Sequence, residues 1–433
     1  MEERAYAKVS WRLVPFLLLC YVAAYLDRVN VGFAKLQMLA DLELSETTYG
    51  LGAGIFFLGY FLFEVPSNVI LHRVGARRWI ARIMITWGIV SGLTMFVKTP
   101  DVFYVLRFVL GIVEAGFFPG IILYLTYWYP AQRRGRVTAL FMLAIPLTGV
   151  IGGPLSGFIM DALKGTSGLA GWQWLFLIEA VPSIVLGVLA YVRLDDRVRN
   201  AKWLSDEEKE LLERALEEES ATKKPSSTFG VFREPKVWAL SVVYFSLIMG
   251  LYGVSFWLPT LIKTMGFAKP LHVGLLSAIP YSAGAIGMAL FARSSDVRNE
   301  RRWHVVLPAL IGGIGLAGAA VAGPTASPAL GMAVLSVATL GILASLPVFW
   351  NLPTALLGGG AAAAGIAMIN SLGNLAGFLS PYLVGFVKDA TGTTTLALYT
   401  LSAFLFFAAL VVLLTEASPA KGPPSSSPLR RRP

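Results

Sequence analysis

The sequence predicts an all-α membrane protein with about twelve transmembrane helices in two pseudo-symmetric six-helix bundles. Three observations support this prediction: the composition, a series of long apolar stretches, and an internal repeat. Of the 433 residues, 56% are hydrophobic and 14% are charged, and the mean hydropathy is +0.66. A soluble domain has about 25% charged residues, so the composition indicates a membrane protein.

The apolar stretches are each long enough to cross about 30 Å of hydrocarbon. They lie near residues 11–34, 47–71, 79–97, 102–127, 137–163, 172–192, 237–262, 271–291, 304–321, 329–350, 355–387 and 393–414. No small-residue cleavage site follows the first stretch, which predicts a retained helix and not a signal peptide. Cys20 is the single cysteine, so no intramolecular disulfide is expected and apolar packing is its expected role.

The internal repeat appears as two pairs of landmarks. RRW occurs at residues 77–79 and 301–303, and GFxxD occurs at residues 157–161 and 385–389. Two parallel six-helix halves explain both, and in such repeats the binding site lies near mid-membrane where the halves meet. We therefore expect an amino-terminal bundle at 1–193, a cytoplasmic linker at 194–234, a carboxy-terminal bundle at 235–416 and a disordered cytoplasmic tail at 417–433.

The linker is expected to contain one amphipathic helix. Ser205 and Glu208 form a capping box, and leucines 211, 212 and 216 give one apolar stripe. A flexible stretch at 223–228 is expected to follow. The function expected for the linker is to connect the two halves.

Arginines in alternate short loops set the predicted orientation. One set of loops carries Arg73, Arg77, Arg78 and Arg82, then Arg133, Arg134 and Arg136, then Arg293, Arg298, Arg301 and Arg302. Both termini and these loops are therefore expected in the cytoplasm, in a cell inner membrane. This topology accounts for most of the formal charge of +10, so nucleic acid is not expected as a partner.

Four charges fall inside predicted membrane helices. Asp27 and Arg28 lie in the first, and Arg107 and Glu114 lie in the fourth. Each charge costs roughly 2.5 to 3.5 kcal/mol at the bilayer centre on insertion scales, so each needs a partner. We expect the two acids and two bases to form one buried cluster.

Two interpretations of this cluster stay open. It is either a static ion network that fixes helix packing, or a functional site in which Asp27 and Glu114 change protonation while Arg28 pairs with an acid or binds an anionic substrate. In the second case a substrate that captures the arginine frees an acid to bind a proton. By linkage, protonation then favours substrate binding equally.

Other polar residues in the apolar stretches have competing roles. Asn370 and Asn374 lie one turn apart on one helix face, where their carboxamides can bond a hydroxyl, a carboxylate or a neighbouring helix. Tyr25, Tyr60 and Tyr252 either line a cavity or anchor helices at the interface. Glu64 and Glu179 precede prolines, and helix-end or interhelix hydrogen bonding is the interpretation we favour for them.

Several motifs resemble the major facilitator superfamily over nearly the whole chain. RVGARRW at residues 73–79 resembles its cytoplasmic loop motif, with His72 where an aspartate is usual. YLDRVNVG, RFVLGIVEAGFFPG, YPAQRRGR and LYGVSFWLPTLI further resemble the anion:cation symporter family. The resemblance implies the major facilitator fold, with two bundles that rock about a central cavity, and proton-driven uptake of organic anions such as tartrate, galactonate, hexuronates or phthalate.

The resemblance also implies roles for individual residues. Arg28 would bind the substrate carboxylate, while Asp27 and Glu114 would bind protons and Arg107 would tune them. Tyr60, Trp350 and Asn370 match positions that contact sugar acids in some members, but Ile145 and Pro146 stand where sugar-acid transporters can have a glutamine, which argues against a sugar acid. The cytoplasmic gate that the resemblance implies comprises Arg73, Gly75, Arg77, Arg78, Arg301 and Arg302.

The expected function is therefore proton-coupled symport of a small organic anion by alternating access. The expected partners are the organic anion, the proton and the lipid bilayer, and the protein is expected to act as a monomer without a cofactor. Sodium coupling, uniport, antiport and a non-transporting substrate sensor on the same scaffold stay open as alternatives. No enzyme is expected, because HExxH, GxSxG and a Ser/His pair at membrane depth are absent from the sequence, and His72, His272 and His304 form no metal set.

Overall fold

The computed structural model describes residues 2–222, 233–323, 327–356 and 360–415, and every regular element within them is a helix. The first half of the chain forms α1 (Glu2–Val29), α2 (Val31–Asp41), α3 (Glu46–Val74), α4 (Ala76–Leu93), α5 (Pro100–Glu114), α6 (Phe117–Thr126), α7 (Ala131–Met142), α8 (Ala144–Ala162) and α9 (Gly171–Arg193). After α10 (Asp206–Thr222), the second half forms α11 (Pro235–Thr264), α12 (Pro270–Arg298), α13 (Trp303–Ala322), α14 (Pro328–Phe349), α15 (Asn351–Leu356), α16 (Gly360–Thr391) and α17 (Thr395–Leu414).

Eleven helical segments among the described residues are long and apolar enough to cross a membrane. Some combine two consecutive helices, as α1 and α2 do in the segment Glu2–Asp41. Helix α16 has 32 residues, which is also long enough, but it is less apolar because it carries Asn370 and Asn374. The predicted all-α membrane fold of about twelve transmembrane helices is confirmed.

The fourth predicted stretch is bent between α5 and α6. Gly116 joins them at a φ of 85°, a left-handed conformation that glycine adopts without a steric cost. No side chain fits there, because a Cβ atom on Gly116 would lie 2.4 Å from Ser67 Oγ. The bend leaves Glu114 at the end of α5, fully buried inside the bundle.

The two halves of the chain meet where α8 packs on α12 and where α3 packs on α16. Glycines permit this close approach. A Cβ atom on Gly157 would lie 2.4 Å from the carbonyl oxygen of Pro270, and one on Gly385 would lie 2.3 Å from that of Glu46. Each of these glycines belongs to one copy of the GFxxD repeat.

The aspartates of the same repeat complete the two contacts. Asp161 Oδ2 accepts a hydrogen bond from the backbone N–H of Leu271 at 2.9 Å, and Asp389 Oδ2 accepts one from that of Thr47 at 2.7 Å. A carboxylate is stabilising at a helix N-terminus, and here each carboxylate reaches from one half to the other. The paired contacts close the bundle at the end opposite the N-terminus.

Helix α10 begins with the predicted capping box. The N–H of Glu208 donates to Ser205 Oγ at 3.3 Å, and the N–H of Ser205 donates to Glu208 Oε2 at 3.1 Å. Lys8 Nζ lies 2.6 Å from Glu208 Oε1 and attaches α10 to α1. The predicted flexible stretch at 223–228 and the predicted tail at 417–433 lie outside the described residues, and the domain boundaries stay a prediction.

Candidate functional site

A buried ion pair joins α1 to α5. Arg28 Nε donates to Glu114 Oε1 at 3.1 Å, and Arg28 Nη2 donates to the same oxygen. Glu114 is fully buried, and Arg28 is 6% exposed. Glu114 Oε2 has no hydrogen-bond partner among the described residues, so it is available to accept a proton.

Aromatic rings surround the Arg28 guanidinium. Its central carbon lies 5.3 Å from the ring centroid of Phe56 and 5.4 Å from that of Tyr60. Its Nη1 donates to the hydroxyl of Tyr252 at 3.0 Å, across to α11 in the other half of the chain. A cation over an aromatic face gains about 0.5 to 2 kcal/mol. These contacts hold the guanidinium in place independently of Glu114.

A small cavity lies beside the ion pair, between the two halves. The predicted substrate residues that line it are Tyr25, Arg28, Tyr60, Tyr252, Asn370 and Asn374. Its volume is about 40 Å³, which is room for a few water molecules. A substrate with several carbon atoms therefore fits only after the walls have moved apart.

Other aromatic residues complete or support this cavity. Tyr21 and Tyr244 line it as well, although the sequence interpretation did not single them out. Trp350, a predicted substrate residue, does not belong to the lining of this cavity. Its ring packs edge-on against Tyr244 at a centroid distance of 4.8 Å, so it supports the wall from behind.

Glu64 connects the cavity wall on α16 to α3. Its Oε1 accepts a hydrogen bond from Asn370 Nδ2 at 2.8 Å, and its Oε2 accepts one from Ser371 Oγ at 3.3 Å. Glu64 is 5% exposed. The interhelix hydrogen bonding favoured for this residue is present, and it holds the two halves together next to the cavity.

The expected single cluster of four charges does not form. Asp27 accepts hydrogen bonds from Trp87 Nε1 at 3.1 Å, from Ser91 Oγ at 2.8 Å and from Ser183 Oγ. Within the described ranges, no arginine or lysine forms an ion pair with it. Consecutive residues on a helix point about 100° apart. Asp27 therefore faces α4 and α9 while Arg28 faces the cavity.

Arg107 lies near Glu114 and Arg28 but is bonded to neither side chain. Its Nε donates to the carbonyl oxygen of Gly52 at 3.3 Å, and its Nη2 donates to those of Arg28 and Ala53, both at 3.4 Å. No ion pair of Arg107 occurs among the residues that the structure describes. Carbonyl dipoles of α1 and α3 therefore hold this cation, where an acidic partner was expected.

The predicted gate residue Arg77 bonds the start of the linker, and Arg301 bonds within its own half. The backbone N–H of Arg77 donates to Asp196 Oδ1 at 2.9 Å, and Arg301 Nη1 lies 2.5 Å from Asp296 Oδ1. The other predicted gate residues, which lie near these two, are Arg73, Gly75, Arg78 and Arg302. Across the described part of the chain, no hydrogen bond or ion pair joins the two groups.

An ion network at the closed end of the bundle was missed by the sequence interpretation. Lys35 Nζ lies 2.5 Å from Glu46 Oε2, and Lys388 pairs with Glu46 Oε1. Lys35 Nζ also lies 3.3 Å from the ring centroid of Trp257. The network joins α2 and α3 to α11 and α16. Its charges stand near the ends of apolar stretches, where sequence alone indicates ordinary loop charges.

These observations together define a multi-pass membrane transporter: long apolar helices in two packed halves, with a buried ion pair at a cavity between them. The sequence matches the family model of the Major Facilitator Superfamily over residues 17–381. The chain belongs to this family, and the resemblance of its motifs is confirmed.

Curated relatives match nearly the whole chain. A putative metabolite transport protein, NicT, of Pseudomonas putida is 49% identical over 96% of this chain and 94% of its own. A putative tartrate transporter of Agrobacterium vitis is 49% identical over 97% of this chain and 93% of its own. Among solved structures, the xylose transporter XylE from Escherichia coli, in a partially occluded inward-open conformation, matches with a TM-score of 0.76. That match covers 93% of this chain and 97% of XylE at 15% sequence identity, so it supports the fold alone.

Proposed function

We propose that the protein is a proton-coupled symporter that carries a small organic anion across the inner membrane by alternating access. The observation that carries this proposal is the Arg28–Glu114 pair in the wall of the cavity between the halves. Arg28 is the cation that a substrate carboxylate would bind, and Glu114 is the anion that this carboxylate would replace. The relatives named as tartrate transporters support a carboxylate substrate.

The coupling follows from the charge of the site. Without substrate, Arg28 and Glu114 neutralise each other. When a carboxylate takes the place of Glu114, the site gains one negative charge in a medium of low dielectric constant, where an unpaired charge is expensive. A proton on Glu114 restores neutrality, and its unpartnered Oε2 is the atom that accepts it. Substrate binding and protonation therefore favour each other.

The other predicted site residues act around this exchange. Tyr25, Tyr60, Tyr252, Asn370 and Asn374 would supply hydrogen bonds to the rest of the substrate. Arg107 repels protons from its surroundings, because it is a second buried cation near the pair. Asp27, which has neutral partners, would bind a second proton.

The proposed orientation follows from the basic loops. Arginine-rich loops are retained on the cytoplasmic side, so both termini and the predicted gate would be cytoplasmic. The end closed by the GFxxD contacts would then face the outside of the cell. A conformation closed on that side, with the substrate cavity at the centre, is one state of an alternating-access cycle.

The proposal is tested by the variant Glu114→Gln in reconstituted vesicles. Glutamine resembles the protonated acid, so counterflow of radiolabelled tartrate is expected to survive. Accumulation driven by a pH gradient is expected to be lost. The matched control is Glu218→Gln, an exposed acid on α10, which is expected to retain both activities.

Two outcomes would contradict the proposal. Accumulation by Glu114→Gln at the level of the control would remove this residue from coupling. Accumulation by the unmodified protein that follows a sodium gradient and ignores a pH gradient would replace the proton as the coupling ion. A thermal-shift screen against a panel of carboxylic acids identifies the substrate, because a ligand at 100 times its Kd adds about 2.7 kcal/mol of stability.

A further inference from the structure

A second, smaller chamber lies between the substrate cavity and the closed end of the bundle. Its lining is mostly apolar, but it includes the polar side chains of Asn30, Thr148 and Ser156 from the first half and Ser255 and Ser277 from the second half. Its volume is about 20 Å³, enough for one water molecule. Tyr25 lines both this chamber and the substrate cavity, and its hydroxyl lies 3.1 Å from Ser255 Oγ.

Asn30, which lines this chamber, is a buried polar residue without a hydrogen-bond partner for its side chain in the described part of the chain. The residue is fully buried, yet neither Oδ1 nor Nδ2 of its carboxamide has a hydrogen-bond partner. An unpaired polar group of this kind costs roughly 1 to 3 kcal/mol. A bound water or a change in a neighbouring group would remove that cost.

Glu179 on α9 is the neighbouring residue whose protonation could give Asn30 a hydrogen-bond partner. It is 1% exposed, and its Oε1 accepts a hydrogen bond from Ser156 Oγ at 2.7 Å. Its Oε2 has no partner. The Asn30 carboxamide lies close enough to this carboxyl group to interact with it, but neither Oδ1 nor Nδ2 makes a well-aligned hydrogen bond to it. Two adjacent residues therefore both have unsatisfied polar atoms.

The charged groups near Glu179 leave its carboxylate without compensation. Asp27 on α1 repels a second negative charge there. On α2, Lys35 is paired with Glu46, and Asp41 accepts a hydrogen bond from Trp172 Nε1 at 2.8 Å.

The other helices packed on α9 bring no cation to it either. On α8, Asp161 bonds the backbone of Leu271 at the closed end. The basic residues of α4 lie in its first two turns, at the opposite end from the chamber. Within the described residues, no lysine, arginine or histidine forms an ion pair with Glu179.

Protonation of Glu179 would satisfy the unpaired polar atoms of both Glu179 and Asn30. A proton on Glu179 Oε2 removes the uncompensated charge and creates an O–H donor for Asn30 Oδ1. Asn30 Nδ2 is then free to donate to the water that the chamber can hold. The proton is taken from a hydronium ion, so one O–H bond breaks there as one forms on Oε2 and a water molecule is left; proton release reverses the step.

We propose that Glu179, which lies behind Asn30 and Ser156 in the wall of this chamber, is a proton-binding residue, with Asn30 as the hydrogen-bond partner of its protonated form. The proposal rests on the proposed function, in which the proton is the coupling ion. It extends that function by giving the proton a route from the closed end toward Asp27 that bypasses Arg28. Asn30 acts through Glu179 and is therefore a positioning residue.

Infrared difference spectroscopy of purified protein tests this proposal without any transport. A protonated carboxyl group gives a C=O stretching band that moves in D2O, apart from carboxylate bands. The variant Glu179→Gln is expected to lose one such band, while Asn30→Ala is expected to shift it, because the hydrogen bond to the carboxyl group is lost. Glutamine can still accept from Ser156 and donate to Asn30, so Glu179→Gln is expected to fold.

The transport assay supplies the second measurement and the control. Glu179→Gln is expected to lose the pH dependence of tartrate accumulation and to retain counterflow. Glu218→Gln again serves as the control and is expected to retain both. An unchanged carboxyl band together with an unchanged pH profile in Glu179→Gln would overturn the proposal. If the unmodified protein shows no tartrate counterflow, the proposed substrate is contradicted. The infrared measurement then still tests whether Glu179 binds a proton.

Discussion

Gly157 offers a direct test of how the bundle closes. In the variant Gly157→Ala, the new methyl carbon would lie 2.4 Å from the carbonyl oxygen of Pro270, whereas ordinary contact begins at 3.4 Å. Helices α8 and α12 must therefore separate by about 1 Å. The clash is with backbone, so no side-chain rotation relieves it. We expect the variant to favour a conformation in which this end of the bundle is open.

The size of the expected shift toward the open conformation follows from the free-energy cost of overpacking. Inserting a methyl group into a closely packed contact typically costs about 1 to 3 kcal/mol. If that cost falls on the closed state alone, the equilibrium between closed and open states shifts by about 5- to 150-fold. A shift of this size is measurable as long as the open state is the minor one.

Cysteine labelling measures the shift. Ser277 lines the chamber next to this contact and is 1% exposed, so Ser277→Cys in a Cys20→Ala background reports access through the closed end. The maleimide reaction is expected to be at least about fivefold faster with Gly157→Ala. Gly135→Ala is the matched control, because a Cβ atom there meets nothing within 4 Å. Equal labelling rates in the two variants would refute the reasoning.

Two further predictions concern stability. Arg28→Met leaves Glu114 as an unpaired buried charge and is expected to destabilise the protein by about 3 to 5 kcal/mol. Arg107→Met leaves no carboxylate unpaired and is expected to lower the thermal unfolding temperature less, so an equal loss would show that Arg107 also pairs with an acid. The hydrogen bond from Lys8 holds the pKa of Glu208 below its usual range. This contact therefore stabilises the attachment of α10 at pH values above the usual pKa of a glutamate. The stabilisation is lost as the pH falls through the lowered pKa of Glu208. Because Lys8 is partly exposed, the effect is below about 1 kcal/mol, and hydrogen exchange of α10 in Glu208→Gln is expected to match that of the unmodified protein at low pH.

The fold could be predicted from sequence because membrane insertion imposes a simple physical rule. Hydrocarbon excludes unpaired backbone groups, so apolar stretches of sufficient length become helices. The bend between α5 and α6 is partly visible in the sequence as Gly116 followed by Pro119. The boundaries of α1 and α2 were predicted too short, because polar residues before Trp11 and after Ala34 continue the helix beyond the apolar core.

The pairing of the buried charges could not be predicted in the same way. Their cost in the membrane shows that each needs a partner, but the partner depends on helix rotation and on neighbours distant in the chain. Asp27 accepts hydrogen bonds from serine and tryptophan side chains. Such residues are too common in membrane helices for the sequence to identify them as its partners. Asn30 did carry a usable signal, since it lies three residues after Asp27 and so near the same helix face.

The different partners of the buried ions explain which of them can exchange its partner for the substrate anion. Arg107 is bound to backbone carbonyls that cannot leave, and the partners of Asp27 are neutral donors away from the cavity. Arg28 alone among these three lines the cavity and is paired with a side chain that can be replaced and neutralised. An anion that enters the cavity therefore meets one exchangeable contact, and the loss of that contact creates the charge that a proton removes. Coupling between anion and proton follows from this single exchange, while Arg107 keeps the helices around it in register.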